Sequence, residues 1–199
     1  SEESLLDTNS IHKGKFETEN WLVEKKIPFT SFRPTYIYGP GNYNKIENWF
    51  FERLFHLKSI PIPADGSLIT QLGHVSDLSD VMIKCLDFEK SKNSVYNCSG
   101  DKGVTIKGLI YMCAEVCGLN KNEISLIKFD FEKLDPKSRK GFPIRLNHYQ
   151  TDISKIKNDL NWKPKFDLLN GLKDSFIKDY QFKKENEFDR TSDSVLFNS

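Results

Sequence analysis

Charge of one sign is missing from this chain of 199 residues, where 29 Lys and Arg face 28 Asp and Glu for a formal net charge of +1. No global field therefore draws it towards nucleic acid or a membrane surface, and only a local basic patch would do so. Long apolar runs are missing too. None approaches the roughly 20 residues of a membrane-spanning helix, so no membrane partner is expected. Ser1-Glu2-Glu3-Ser4 is acidic and polar, which does not fit a secretory signal. Cysteine is limited to Cys85, Cys98, Cys113 and Cys117, with no Cys-x-x-Cys pair and no histidine beside them, so no metal is assigned. Buried, reduced thiols and a reducing compartment are expected instead. Although there are 11 glycines, no strand is followed by Gly-x-Gly-x-x-Gly, the turn that cradles a dinucleotide.

What is present is ordered around Phe29 to Tyr38, a run rich in aromatic and β-branched residues that predicts a buried strand. Gly39-Pro40-Gly41 ends it. Ligands of open α/β sheets bind at the carboxyl ends of strands, which puts Thr35, Tyr36 and Tyr38 near a site. Before this strand the composition predicts a helix over 10–26. After it come a helix from Trp49 to Lys58, an extended Ile60-Pro61-Ile62-Pro63, a turn at Asp65-Gly66-Ser67 and a short strand over 68–72. A helix starts near Ser76, with Asp77 as a capping residue, and Ser94–Cys98 reads as a strand. Thr105 caps a helix that ends at Gly118. A strand over 124–131, a basic loop over 134–140, and helices over 152–160 and 168–180 follow. The charged end, from Gln181, is expected to be loose or to wrap the domain. Strand and helix alternate, so the class is α/β. The first helix has no strand before it, and the chain reads as truncated.

Several islands resemble, in order, the extended short-chain dehydrogenase/reductase family of NAD-dependent epimerases and dehydratases. Lys15-Phe16-Glu17-Thr18-Glu19 is similar to the second half of its Tyr-x-x-x-Lys-x-x-x-Glu helix. Arg33-Pro34 with Tyr38-Gly39-Pro40-Gly41 resembles its Arg-Pro-x-x-x-Tyr-Gly-Pro-Gly signature. His74-Val75-Ser76-Asp77-Leu78, Val95 to Gly100, and Asp152 to Pro164 resemble later segments. The resemblance implies the C-terminal part of a Rossmann-type doubly wound parallel sheet with a small α/β substrate-binding domain, the glycine-rich N-terminal half being absent. Residues 1–42 and 71–100 would form the second half of the Rossmann-like domain. Residues 43–70 and 101–182 would form the interleaved small domain, and 183–199 a charged tail. A narrower likeness runs through His12-Lys13-Gly14-Lys15, Asn42-Tyr43-Asn44, Trp49-Phe50-Phe51, Gln71-Leu72-Gly73 and Gly141-Phe142-Pro143. These resemble the chloroplast stem-loop-binding proteins and their cyanobacterial relatives. That group implies association with RNA, a divalent-metal-dependent endonuclease activity, and a place in the plastid stroma or the bacterial cytoplasm.

The family's acid/base tyrosine should stand four residues before Lys15, and Ile11 stands there; an isoleucine transfers no proton. His12 is adjacent but, on a helix, points about 100° away. Where many nucleotide-sugar members carry a diphosphate-binding arginine, this chain has Thr70. Catalysis would rest on Lys15 alone. The resemblance assigns cofactor contacts to Lys15, Pro34, Thr35 and Tyr36, for NAD or NADP and only together with the absent half. Substrate or RNA contacts are expected at Tyr38, Trp49, Lys137, Arg139, Lys140 and Arg145, basic groups tracking phosphates and aromatics, Tyr43 among them, stacking on unpaired bases. His74 and Asp77 are expected to be structural, and Asp77 and Asp80 are assigned no metal. The first expectation is an RNA-binding member of the family. The second is an active NAD(P)-dependent epimerase or reductase acting on an unidentified small molecule, and the third a non-catalytic scaffold. A homo-oligomer pairing through the Lys15 helix is implied as well.

Overall fold

Phe29 to Tyr38 does form extended chain, but as two strands that pair with different partners. The computed structural model describes residues 1–3, 10, 12–44, 46–181 and 188–198. In it β1 (Thr30–Pro34) runs parallel to β6 (Ser94–Cys98), while β2 (Tyr36–Tyr38) runs parallel to β5 (Leu72–His74). Thr35 is the changeover. Its N–H donates to the Cys98 carbonyl at 3.2 Å and its hydroxyl bonds that of Ser99. Two further pairs complete the strands: β3 (Ser59–Pro63) lies parallel to β8 (Ser125–Phe129), and β4 (Ile69–Thr70) antiparallel to β7 (Val104–Thr105). The class is α/β, and the mostly parallel pairing matches a Rossmann-like arrangement.

The helices are α1 (Lys13–Glu24), α2 (Ile46–Leu57), α3 (Val75–Lys84), α4 (Ile106–Val116), α5 (Pro136–Arg139), α6 (Ser154–Leu160), α7 (Leu168–Ser175) and α8 (Asp193–Leu196). Thr105 caps α4 by accepting the Gly108 N–H, and Gly118 follows at φ +76°. The segment expected as a basic loop is instead the short helix α5, because Asp135 accepts the N–H groups of Lys137 and Ser138 and Pro136 suits a first turn. The helix expected over 168–180 is α-helical only to Ser175, then widens into a π-helical turn over Phe176–Tyr180. None of the described helices is long and apolar enough to cross a membrane.

Two apolar clusters hold these elements. The larger gathers Phe50, Phe51 and Leu54 of α2 with Ile60, Ile106, Leu109, Phe129, Phe142, Leu172 and Leu196. The smaller gathers Val81, Tyr96, Cys98, Ile153, Ile156, Leu160 and Trp162. Residues 153–162 pack with the β6 half, their apolar Ile153, Ile156, Leu160 and Trp162 sharing one cluster with Val81, Tyr96 and Cys98. The end of the chain wraps: Leu196 is fully buried in the larger cluster. All four cysteines are free, and burial pushes the Cys98 and Cys117 thiols up to about 12.

Buried polar groups lock the joints. Asp77 does not cap its own helix. His74 is the cap, its Nδ1 accepting the Ser76 N–H at 3.3 Å, while the Asp77 carboxylate takes the N–H groups of Lys165 and Phe166 at 2.9 and 3.1 Å. Nδ1 being an acceptor, the neutral ring carries its proton on Nε2, 3.5 Å from Asp174 Oδ2. Burial lowers the pKa of His74 against the opposing pull of Asp174. Glu47, also buried, accepts the Gly39 N–H at 2.8 Å and the Ser175 hydroxyl at 2.7 Å; burial raises its pKa, the bond from Ser175 opposing.

Two outcomes are expected. A Cβ at Gly171 would overlap the Tyr38 hydroxyl, and Tyr38 is itself buried. Gly171→Ala should therefore cost about 2 kcal/mol of stability by denaturant unfolding, and adding Tyr38→Phe should return part of that loss. Additive effects in the double variant would contradict the contact. Because the pKa of Glu47 is raised on folding, the native state keeps its proton to higher pH than the unfolded chain does. Its contribution is fullest below the ordinary value of 4.5 and is lost as pH climbs through the folded value. Glu47→Gln retains a carbonyl acceptor without the proton. Its stability relative to the parent should rise across a urea series from about pH 4 to about pH 8, and a parallel pair of curves would refute the burial argument.

Candidate functional site

The changeover at Thr35 brings the end of β1, the face of α1 and the segment after β8 to one place. Two clefts meet there. One, of about 1150 Å³, is lined by Lys15, Pro34, Met82, Arg145 and Tyr149 among others. The second, of about 580 Å³, is lined by Tyr36, Arg139, Lys140, Phe142 and Arg145. Arg145 lines both.

Its position is built from four contacts. The Arg145 N–H donates to the Tyr36 hydroxyl at 2.7 Å, and its guanidinium lies 4.6 Å from the centre of the Tyr149 ring. Tyr149 meets Tyr36 edge to face at 5.6 Å, and its own N–H donates to the Ile69 carbonyl at 2.8 Å. Burial raises the pKa of Tyr36, the hydrogen bond from Arg145 working against it, so the phenol stays protonated and serves as an acceptor. Arg145 itself is exposed, leaving its guanidinium open to an anion.

The sequence-predicted residues divide into those that face this site and those that do not. Lys15 is exposed on α1 and shares the larger cleft with Pro34 and Arg145. Arg139 and Lys140, at the end of α5, line the smaller one. The Arg139 guanidinium is anchored by the Leu134 and Glu132 carbonyls at 2.9 and 3.1 Å. Lys137 is exposed on α5 but borders neither cleft. Ile11 lies outside the described residues. His12, exposed, is the residue before α1 and lines the larger cleft.

Two expected contacts are corrected by burial. Trp49 is only 9% exposed, with Arg53 3.8 Å over its ring and Phe142 perpendicular to it at 5.3 Å, so it is too enclosed to stack on a base. Tyr38 is packed between Gly171 and the edge of His74, and burial raises its pKa. Tyr43, by contrast, is 98% exposed. Sequence reasoning missed Tyr149. The signal available was an aromatic four residues after Arg145, in a stretch with no helical or strand pattern.

The nicotinamide cofactor that the resemblance implies can be tested against these positions. The amine of Lys15 and Pro34 open on a common cleft, which fits. The hydroxyls of Thr35 and Tyr36 are already engaged, by Ser99 and by Arg145, so those two residues would offer a cofactor their backbone only. Among the described residues, no group of three or more His, Cys, Asp or Glu is placed to hold a metal ion.

Comparison with known proteins bears on the family and the fold. Residues 13–99 match the NAD dependent epimerase/dehydratase family. A chloroplast stem-loop binding protein of 41 kDa from Arabidopsis thaliana is 43% identical over 198 residues, which is 98% of this chain and 52% of the relative. A UDP-glucose 4-epimerase from Vibrio cholerae is 32% identical over 174 residues, 80% of this chain and 50% of the relative. The chain thus spans about half the length of these relatives. Among solved structures, a dTDP-glucose 4,6-dehydratase from Bacillus anthracis in complex with NAD superposes with a TM-score of 0.72 at 20% identity, over 93% of this chain and 56% of that one. At that identity the likeness speaks for the fold alone. Residues 13–99 thus carry an NAD dependent epimerase/dehydratase family domain, and nearly the whole chain shares its fold with a solved dehydratase.

Proposed function

We infer that this chain is the part of a stem-loop-binding type protein that holds RNA, with phosphates gripped where the two clefts meet. One observation carries the reading. A chain of net charge +1 gathers Arg139, Lys140 and Arg145 around a single cleft, beside the Tyr36–Tyr149 aromatic pair. Basic groups track phosphates, and aromatic faces accept unpaired bases. The 43% identity to a protein named for stem-loop binding supports it. The reading is one of binding, and no cleavage step is assigned to residues of this chain. It places the protein in the plastid stroma or the bacterial cytoplasm. It also includes self-association through α1, whose Trp21 and Val23 are 50% and 61% exposed.

A second reading is an NAD(P)-dependent enzyme acting on a nucleotide sugar. It is favoured by Lys15, Pro34 and Arg145 sharing one cleft and by the likeness to UDP-glucose 4-epimerase. In it Lys15 and Pro34 would hold the cofactor's nicotinamide end, and the cofactor would supply the hydride chemistry.

Titration of the full protein with an RNA hairpin, followed by fluorescence anisotropy at several salt concentrations, tests the first reading. Affinity should fall steeply with salt, and the triple change Arg139→Ala, Lys140→Ala and Arg145→Ala should reduce the log–log slope by about two. A slope near zero, or one indifferent to the triple change, sinks it. For the second reading, Lys15→Ala should abolish cofactor-dependent turnover of a nucleotide sugar, and full turnover in that variant excludes it.

A further inference from the structure

The basic rim of the smaller cleft is not held by its own short helix. A four-residue helix is not stable alone, and Arg139, Lys140 and Arg145 stand on either side of a bend at Gly141-Phe142. What fixes the bend is Phe142, which sits in an aromatic nest, edge-on to Trp49 at 5.3 Å and to Phe50 at 6.0 Å, and 5.6 Å from Phe129. The Trp49 ring is in turn covered by the guanidinium of Arg53 at 3.8 Å.

Arg53 is fully buried, which is costly for a cation unless it is paired. Its partner comes from the far end of the chain. Asp193 Oδ1 accepts from Arg53 Nε at 3.0 Å and from an η nitrogen at 2.5 Å, and the Trp49 and Asp189 carbonyls take further donors at 3.2 Å. The second Asp193 oxygen accepts from Arg190 Nε at 3.1 Å. The same segment touches the bend directly: a Cβ on Gly141 would come within 2.5 Å of Ser192 Cβ. Leu196 anchors the segment in the larger cluster.

We propose that Asp193 is a positioning residue for the RNA-binding cleft. By holding Arg53 flat on Trp49 it keeps Phe142 seated and so sets the spacing of Arg139, Lys140 and Arg145. The proposal rests on the RNA reading above and assigns the C-terminal segment 188–198 to the site, although none of its residues lines the cleft. It predicts that RNA affinity responds to a buried carboxylate that touches no ligand.

The test uses the full protein and the same RNA hairpin, with binding and thermal unfolding measured side by side. Asp193→Asn should weaken binding about fivefold and make the salt slope shallower by about one, as one phosphate contact goes out of register. Asp193→Glu, which keeps the charge, should recover most of the affinity. Ile156→Val, buried in the other cluster, should lower stability with affinity and slope unchanged, which separates positioning from general loosening. Should Asp193→Asn fail to fold, Phe142→Leu replaces it, since it unseats the bend without disturbing the ion pair and should show the same loss. Wild-type affinity and slope in Asp193→Asn, or in Phe142→Leu, overturn the proposal. If the Arg139, Lys140 and Arg145 triple variant also binds as the parent does, the RNA reading falls with it. If only the triple variant loses affinity, the RNA reading stands and the positioning role alone is wrong.

Discussion

The structure depends on one exchange of partners. From Thr30 to Pro34 the chain is bonded to β6, and from Tyr36 to Tyr38 it is bonded to β5. A single residue, Thr35, spans the gap with its N–H on Cys98 and its hydroxyl on Ser99. One backbone bond ties the two partner strands together. Gly100 donates its N–H to the Leu72 carbonyl, and a Cβ on Gly100 would overlap that oxygen, so only glycine closes the fork. Each apolar cluster lies on one branch, and the clefts open where the branches part. The carboxyl-end rule for α/β sheets is met here by β1 and Tyr36, which line the clefts together with residues of α1 and of the segment from α5 onward.

The irregular segments are held by buried carboxyl groups and their charged or polar partners at long sequence range. Asp77 fixes 165–166, Glu47 ties the Gly39 turn to Ser175, and Asp193 ties the chain's end to Arg53. A buried carboxylate that accepts two or three hydrogen bonds is specific in direction, and its loss strands a partner. The stretches fixed in this way carry no repeating apolar pattern that would fix them by packing. The consequence reaches the candidate site, since the loop that bears Arg139, Lys140 and Arg145 is steadied through an aromatic nest capped by one of these charges.

The family domain and the site speak to different questions. The epimerase/dehydratase fold accounts for the strand order, the helix bearing Lys15 and the turn after Tyr38. It does not decide what is bound, because a fold hosts many chemistries. That decision lies with local charge. The net charge of +1 hides a local clustering of cations, with Arg139, Lys140 and Arg145 on one cleft and Lys15 on the cleft that Arg145 also lines.

Local rules were enough to read much of the chain. Ser94–Cys98, the α4 helix with Thr105 and Gly118 at its ends, the turn at Gly66 and the start of the helix at Leu168 each follow from residues within a few positions of one another, where capping and alternation act. The motif islands named the family for the same reason, being contiguous. Where a residue's role depends on what meets it from elsewhere, the sequence was silent or misleading. Trp49 reads as a stacking surface and is covered by Arg53; Asp77 reads as a helix cap and bonds a loop 88 residues away; Tyr149 reads as nothing and joins the site through Tyr36 and Arg145. By itself the sequence determined the elements, their order and the family likeness, because these rest on short-range periodicity and backbone chemistry. The tertiary structure alone decided which side chains face the clefts, because burial and ion pairing are set by partners that the chain brings together from more than a hundred residues apart.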